Sequence, residues 1–516
     1  MKRPAPKGDR EIELKFSVPL EQANDAFWAP LGRRLGRSGS KQLENTYFDT
    51  PDRRLMKRRV GLRIRKSGDR LLQTLKDEGD GIARFEWERP VRSKSPELDA
   101  VADEEARARL GFLLASELEP VFETHFERKS REIEVRGDNG QAAIVEVCRD
   151  LGAITTRDAG SEIAEIELEL KSGPAHLLFD AALKLVAACD ARIETRSKAA
   201  RGYALASDSG PVWTKAETIR LDPKATVADC ARLTLAHCRV HWWRNLAAAA
   251  DGSDPEGVHQ LRVALRRLRT LLTLFKTLIP ADDMAWLQSE ARHALRALGA
   301  ARDLDVFATE ILPPIARGAG EHASLTPLEG WVATARADAQ NAVLDTLGHS
   351  RHATFLLSFA KWHEEGEWLD RADPAIASMP IRDFARKALT KRHKAVLKRG
   401  QNFETLDETA RHEVRIALKK LRYALDFFRS VFEAKQAKPY LKHAAALQEG
   451  FGTWNDLAAA ELLVTQIRSA VPDDPKLAQA CGFVSGWLGH RRLVAEPELI
   501  ASWHAFCEDR PFWKKS

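Results

Sequence analysis

The chain of 516 residues carries 80 lysines and arginines against 74 aspartates and glutamates, a net charge of +6, with 44% hydrophobic and 30% charged residues. One hydrophobic core does not grow to that size, so at least two domains are expected. No apolar run reaches the roughly 18 residues of a spanning helix, which argues against a membrane partner, and the charge excess is too mild to select an anionic partner by itself.

The basic start, Met1 to Arg10, runs into alternating charge instead of an apolar signal core. The six cysteines, Cys148, Cys189, Cys230, Cys238, Cys481 and Cys507, are scattered without a Cys-x-x-Cys pair. Neither a disulfide framework nor a zinc site is indicated, and a reducing, cytoplasmic setting is the expectation.

From residue 11 to about 170, short segments alternate charged and apolar residues, broken by turn signals such as Ser67-Gly68-Asp69 and Gly137-Asp138-Asn139-Gly140. Period two predicts antiparallel strands. Residues 100–118 and 174–190 have helical composition, so the first domain, taken as 1–205, is expected to be α+β. Ser207-Asp208-Ser209-Gly210-Pro211 opens a linker taken as 206–222. Beyond it, over 223–516, Ala, Leu and Arg dominate with apolar spacing of three and four, which predicts an all-α domain.

An internal repeat organises that second half. The run from His259 to Arg269 returns from His412 to Arg422, an offset of 412 − 259 = 153, and the same offset carries Asp254 to Asp407, Gly299 to Gly452 and Asp303 to Asp456. Two tandem helical bundles follow. Asp254 and Asp407 are expected to cap or charge the first turn of the repeated helix.

Charge on the strands is sorted by sign. Glu11, Glu13 and Lys15 share one face of their strand, Arg63 and Arg65 stand side by side, and Glu165, Glu167 and Glu169 form a row of three carboxylates. On any one strand such alternation is the ordinary wet face of a sheet. Three adjacent carboxylates, however, repel unless cations compensate them. Separate acid and arginine rows therefore predict a shared charged interior, with carboxylates for hard cations such as Mg²⁺ or Mn²⁺ and Arg and Lys for phosphoryl oxygens. A closed antiparallel β-barrel with that lining would hold a metal-bound polyphosphate.

The order of motifs over 10–203 resembles the CYTH or triphosphate tunnel family. It runs from Glu11-x-Glu13-x-Lys15 through Tyr47-Phe48-Asp49-Thr50, Leu62-Arg63-Ile64-Arg65, Gln73-Thr74-Leu75-Lys76, Arg84-Phe85-Glu86-Trp87-Glu88 and Phe126-Glu127-Arg128. Asp150-Leu151-Gly152, the Glu165–Leu170 strand and Ser197-Lys198-Ala199-Ala200-Arg201-Gly202-Tyr203 complete it. The resemblance implies Glu11, Glu13, Asp150, Glu165, Glu167 and Glu169 as the set for one or two divalent ions, Mg²⁺ or Mn²⁺. It implies Lys15, Arg63, Arg65, Lys76, Arg84, Arg128 and Lys198 as the phosphate-binding set. Glu11, Glu13, Lys15, Lys76 and Glu169 stand as the catalytic candidates, with Glu13 or Glu169 orienting the water. The expected activity is hydrolysis of inorganic triphosphate to pyrophosphate and phosphate, by positioning and charge stabilisation.

In the helical half, His259, Arg262, Arg266 and Arg269 fall on one helical stripe beside an apolar stripe of leucines, and His412, Arg415, Lys419 and Arg422 repeat it. A single basic helix is ordinarily a solvated face. Like charges stacked at matched positions in two copies point instead to an anionic ligand. The stripes, with Leu298 to Asp305 and Phe451 to Asp456, resemble the CHAD family, whose basic helices bind polyphosphate, and these eight residues are its candidate ligands. Asp303 and Asp456 are expected to pair with arginines of a neighbouring helix, and the tryptophans to pack cores.

Other classes stay open. A nucleoside triphosphatase or an adenylate cyclase would use the same tunnel, and a non-catalytic polyphosphate-binding protein would keep only its charge. Nucleic acid is not an expected partner, since the acid rows repel it and no recognised reading module is present.

Overall fold

In the computed structural model the described residues form nine strands, eight of them from the period-two segments. The structure describes residues 10–514 apart from 25–27, 29, 80–82, 100, 112, 139, 208 and 321–322. The strands are β1 (Arg10–Ser17), β2 (Arg33–Asp49), β3 (Val60–Ser67), β4 (Arg70–Asp77), β5 (Ala83–Pro90), β6 (Glu119–Arg136), β7 (Ala142–Thr155), β8 (Gly160–Ser172) and β9 (Arg192–Ile193). They lie in the order β5-β4-β3-β2-β6-β7-β8-β1-β9, every ladder antiparallel. A further β1–β5 ladder, Arg10 with Phe85, Glu11 with Arg84 and Ile12 with Ala83, closes eight of them into a barrel. Closure turns one face of every strand into a lumen.

The apolar face looks outward and is covered by helices. Leu62, Ile64, Leu75 and Phe85 form one core with Leu55 of α1 (Arg54–Lys57) and with Ala106 and Leu110 of α2 (Glu104–Leu110). The helix expected near 174–190 is α3 (His176–Ala188), which lies on β6, β7 and β8. A fourth helix, α4 (Lys198–Ser207), packs Tyr203 against Phe122 and Tyr47. Gly202 permits that approach, because a Cβ there would lie 2.1 Å from a Phe122 ring carbon.

The chain divides into two compact units. The barrel unit takes residues 1–213, and two later segments, 243–253 and 347–366, cluster with it. The helix α10 (Ser350–Glu365) packs on α3 within this unit, fixed by a Lys361–Asp180 ion pair of 2.7 Å.

Twelve helices follow α4 in the second half, α5 (Val227–Asp251), α6 (Pro255–Leu274), α7 (Ala281–Val306), α8 (Leu312–Ala319), α9 (Thr326–Gly348), α10, α11 (Glu367–Asp370), α12 (Pro374–Ala377), α13 (Ile381–Arg399), α14 (Glu408–Phe428), α15 (Ala434–Ala470) and α16 (Pro475–Glu508). The repeat is written in their starts, since 408 − 255 and 434 − 281 both equal 153. Each repeated helix has the capping aspartate: Asp254 accepts from the Glu256 N–H at 2.8 Å, and Asp407 from the Ala410 N–H at 2.7 Å. Equivalent helices meet, α6 on α14 and α7 on α15. Of the tryptophans, Trp242, Trp243 and Trp503 are buried, as core packing requires.

Candidate functional site

Strand register places the sorted charges opposite one another inside the barrel. Glu165 pairs with Asp150 on β7 and with Ser17 on β1, Glu167 with Cys148 and Lys15, and Glu169 with Glu146 and Glu13. Closure of the barrel removes much of this inner face from water: Glu13, Lys15, Arg84, Asp150, Glu165 and Lys198 are all buried.

One cluster centres on Lys198 in the first turn of α4. Its ammonium lies 2.7 Å from Asp150, 2.7 Å from Glu165 and 2.8 Å from Glu167, whose oxygens come within 4.8 Å of one another. Arg128 adds a two-pronged contact to Asp150, Nε to Oδ1 at 2.8 Å and Nη2 to Oδ2 at 2.6 Å, and also reaches Glu167. Arg201, one turn along α4 from Lys198, binds Glu165 at 2.6 Å. Burial pushes the Glu165 carboxyl upward, but the Lys198 and Lys15 ammoniums outweigh it and hold it at about 2. Glu167 is likewise held well below the carboxylate range, against burial, by Lys198 and Arg128. Burial opposes the charge on Lys198 too, and the three carboxylates raise it well above the ordinary lysine value.

Three carboxylate oxygens in such proximity, two of them from buried residues, are a hard donor set that fits an oxygen-preferring divalent cation. The Lys198 ammonium holds the central position such a cation would take.

A second cluster lies on β3, β4, β5 and β1. Arg84 meets Glu13 at 2.5 Å, and Lys76 reaches Glu13 at 3.3 Å and Glu86 at 3.4 Å. Arg63 stands 3.7 Å from Glu86 and donates to the Tyr47 hydroxyl, while Arg65 stands 3.6 Å from Glu88 and donates to the Asn45 amide oxygen. Burial pushes the Glu13 carboxyl up, but Arg84 and Lys76 leave it below its ordinary value. The Lys15 ammonium donates to the Arg196 carbonyl, and burial depresses it in spite of Glu165.

Of the six expected metal ligands, the structure thus gathers Asp150, Glu165 and Glu167. Glu13 belongs to the arginine cluster, and Glu169 binds Lys171 at 2.6 Å beside Glu146. Glu11 sits in register with Arg84, and its side chain lies outside the described residues. The sequence reading missed Arg201, Glu86 and Glu88. The spacing of Arg201 from Lys198, three residues on one helix, was the available signal for the first.

In the helical unit the two stripes converge. The charge of Arg266 on α6 bears on Arg415 and Lys419 of α14 as well as on Arg262. Burial, then Arg415 and Arg266, drive the Lys419 ammonium down to about 7, and burial with Arg266 lowers Arg262 to about 10. Asp303 of α7 stands 4.0 Å from Arg262, the expected pairing of neighbouring helices. Asp456 offsets Arg415 and Lys419 in the same way, though burial raises its own carboxyl. His259 is half-buried, and burial and Arg302 lower it. His412 is exposed, Arg269 donates to Gln288, and Arg422 to the Leu441 carbonyl.

A closed antiparallel barrel with opposed acid and base rows in its lumen, followed by a helical repeat with convergent basic stripes, defines a charged-tunnel protein. Residues 9–203 match the CYTH domain and residues 233–465 the CHAD domain. The chain belongs to the proteins that join a CYTH domain to a CHAD domain. The inorganic triphosphatase of Haemophilus influenzae is 37% identical over 204 residues, 38% of this chain and 55% of that relative. An uncharacterized protein of Mycobacterium tuberculosis is 29% identical over 325 residues, 59% of this chain and 60% of the relative. The chain therefore spans little more than half the length of these curated relatives. The crystal structure of the CHAD domain from the plant Ricinus communis superposes with a TM-score of 0.52 at 31% identity, covering 58% of this chain and 98% of that one.

Proposed function

We propose that the barrel hydrolyses inorganic triphosphate with a divalent cation, Mg²⁺ or Mn²⁺, and that the helical unit binds long-chain polyphosphate. The observation that carries the first part is the pairing of two clusters on one lumen. The Asp150–Glu165–Glu167 set, two of its members buried, stands with a row of Arg63, Arg65, Lys76 and Arg84. The similarity to a triphosphatase over the same residues supports it.

Asp150, Glu165 and Glu167 are the residues that would hold the cation, which when bound supplies Lewis-acid charge to phosphoryl oxygens. Arg63, Arg65, Lys76 and Arg84 present forks and an ammonium to the phosphate chain, exchanging their contacts with Glu13, Glu86 and Glu88 for phosphate oxygens. Lys15, anchored on the Arg196 carbonyl, adds positive charge where negative charge develops, and Lys198 would yield its central place among the carboxylates to the cation and turn to phosphate oxygens. No covalent nucleophile is needed, because positioning and charge stabilisation account for phosphoryl transfer to water.

The test is phosphate release from triphosphate, ATP, pyrophosphate and long-chain polyphosphate with Mg²⁺ or Mn²⁺, for the full chain and for Glu167→Ala. Release from triphosphate is expected to fall by at least about 10²-fold in the variant, the scale of losing one charge-stabilising group. Undiminished release by Glu167→Ala would overturn the site. Preference for ATP would assign the tunnel to a nucleoside triphosphatase or a cyclase, and no release at all to a polyphosphate-binding protein without catalysis.

For the helical unit, the convergence of Arg262, Arg266, Arg415 and Lys419 supports polyphosphate as the ligand. Arg266→Ala should weaken polyphosphate binding, and duplex DNA at physiological salt should not compete for it. Competition by DNA at equal phosphate concentration would replace this reading with a general polyanion site.

A further inference from the structure

Beside the convergent stripes, the helical unit holds a cavity of about 430 Å³ lined by Arg269 of α6 and by Ser289, Arg292, Leu295 and Arg296 of α7. Three guanidinium-bearing side chains line it, and no carboxylate does. Gln288 positions two of them: its side-chain oxygen accepts from Arg269 Nε at 3.1 Å, and its main-chain oxygen accepts from Arg292 Nε at 3.1 Å. The terminal nitrogens of both, and the whole guanidinium of Arg296, have no hydrogen bond or ion pair among the described residues. Arg292 and Arg296 are exposed and one turn apart on α7, an arrangement that destabilises a helix by a few tenths of a kcal/mol unless an anion offsets it.

The internal repeat supplies a control. At the offset of 153, Arg269 becomes Arg422, but Gln288, Ser289, Arg292 and Arg296 become Leu441, Lys442, Ala445 and Glu449. Arg422 turns its terminal nitrogen to the Leu441 carbonyl instead. The basic stripe is present in both copies, whereas the arginine pocket is built in the first alone. A track for a polymer would have to continue into the second copy, where Ala445 and Glu449 interrupt it.

We propose that this pocket, which takes Arg269 from the end of the first stripe and adds Arg292 and Arg296 of α7 that the second copy lacks, is a binding site for a small, multiply charged phosphate, orthophosphate or pyrophosphate. Guanidinium forks match phosphate oxygens in pairs, and the low hydration of guanidinium favours the contact. Ser289 offers a hydroxyl, and Leu295 forms an apolar wall. The site stands independently of the reaction proposed for the barrel.

The test uses the full chain and a double variant, Arg292→Ala with Arg296→Glu, which installs the residues of the second copy. Hydrogen-exchange mass spectrometry with pyrophosphate or orthophosphate is expected to show slowed exchange over residues 265–298, and sodium chloride at matched ionic strength is not. In the double variant that protection should vanish. Titration calorimetry should show one pyrophosphate site weakened about tenfold or more, the scale of one lost charge-assisted hydrogen bond. Both side chains are exposed, so the melting temperature should hold, and Arg292→Lys with Arg296→Lys should retain partial binding. Protection that persists in the double variant, that sodium chloride reproduces, or that only long-chain polyphosphate produces would overturn the proposal.

Discussion

The two units handle like charge in opposite ways. In the barrel, Lys198 sits among three carboxylates, and Arg84 and Lys76 cover Glu13. In the helical unit, Arg266, Arg415 and Lys419 repel one another with Asp303 and Asp456 as the opposing charges, and none of the three side chains makes a hydrogen bond or ion pair among the described residues. Deep burial explains the first arrangement, because an uncompensated charge in a closed lumen is far too costly to keep. Partial exposure permits the second, in which water and a ligand can supply the missing counter-charge. The barrel charges are thus paired within the fold, and the polyphosphate proposed above would complete those of the helical unit.

The sharpest way to break this comparison is to remove one compensating charge from the barrel. Lys198→Met should destabilise the barrel unit by about 3–5 kcal/mol, because it leaves the buried Asp150 and Glu165 and the partly buried Glu167 without their central partner. Urea denaturation measures it, and a change under about 1 kcal/mol would show that solvent already reaches the cluster. Arg415→Met in the same denaturation should leave stability level or raise it, because the change removes the repulsion from Arg266 and breaks no ion pair among the described residues.

A pH titration separates the units by sign. Glu165, held at about 2 against an ordinary 4.5, contributes stability that is present above pH 4.5 and lost as pH falls through about 2. Lys419 is a base depressed to about 7 from 10.5, so between these values the unfolded chain binds the extra proton and stability rises with pH. Polyphosphate affinity should move the other way, falling as Lys419 loses its charge above about pH 7. Burial lowers Lys419 most, and the charged groups that face it are Arg415, Arg266, Asp456 and Arg262. Affinity that does not change between pH 6 and 9 would remove Lys419 from the binding surface.

The smallest effect concerns the repeat itself. Asp254→Ala and Asp407→Ala each remove an N-terminal cap and should each lower helical stability by about 1 kcal/mol. Equal losses in chemical denaturation would show that the copies share local energetics and differ in their ligand surfaces, whereas a loss in one copy alone would show that their folding has diverged.

Much of the site was legible because strand and helix periods fix faces. Period two put Glu165, Glu167 and Lys15 on one side of their strands, and the offset of 153 aligned both basic stripes and both capping aspartates. Partner choice within a face was less legible. Glu169 continues the acid row in sequence, yet Lys171, two residues along the same strand face, takes it as a partner. Arg201 and the arginine pocket depend on how α4 and α7 are placed, which residue spacing alone does not state.

The sequence by itself determined the alternation that makes strands, the caps and apolar stripes that make helices, the sorting of charge by sign and the duplication of the helical half. These are local properties, set by backbone geometry and side-chain spacing over a few residues. Tertiary structure alone decided that β1 meets β5 to close a lumen, that Lys198 enters the centre of the carboxylates, and that α10 from the second half covers α3 of the barrel unit. An amphipathic pattern declares that a face must be buried, but the element that buries it is chosen by packing between segments far apart in the chain.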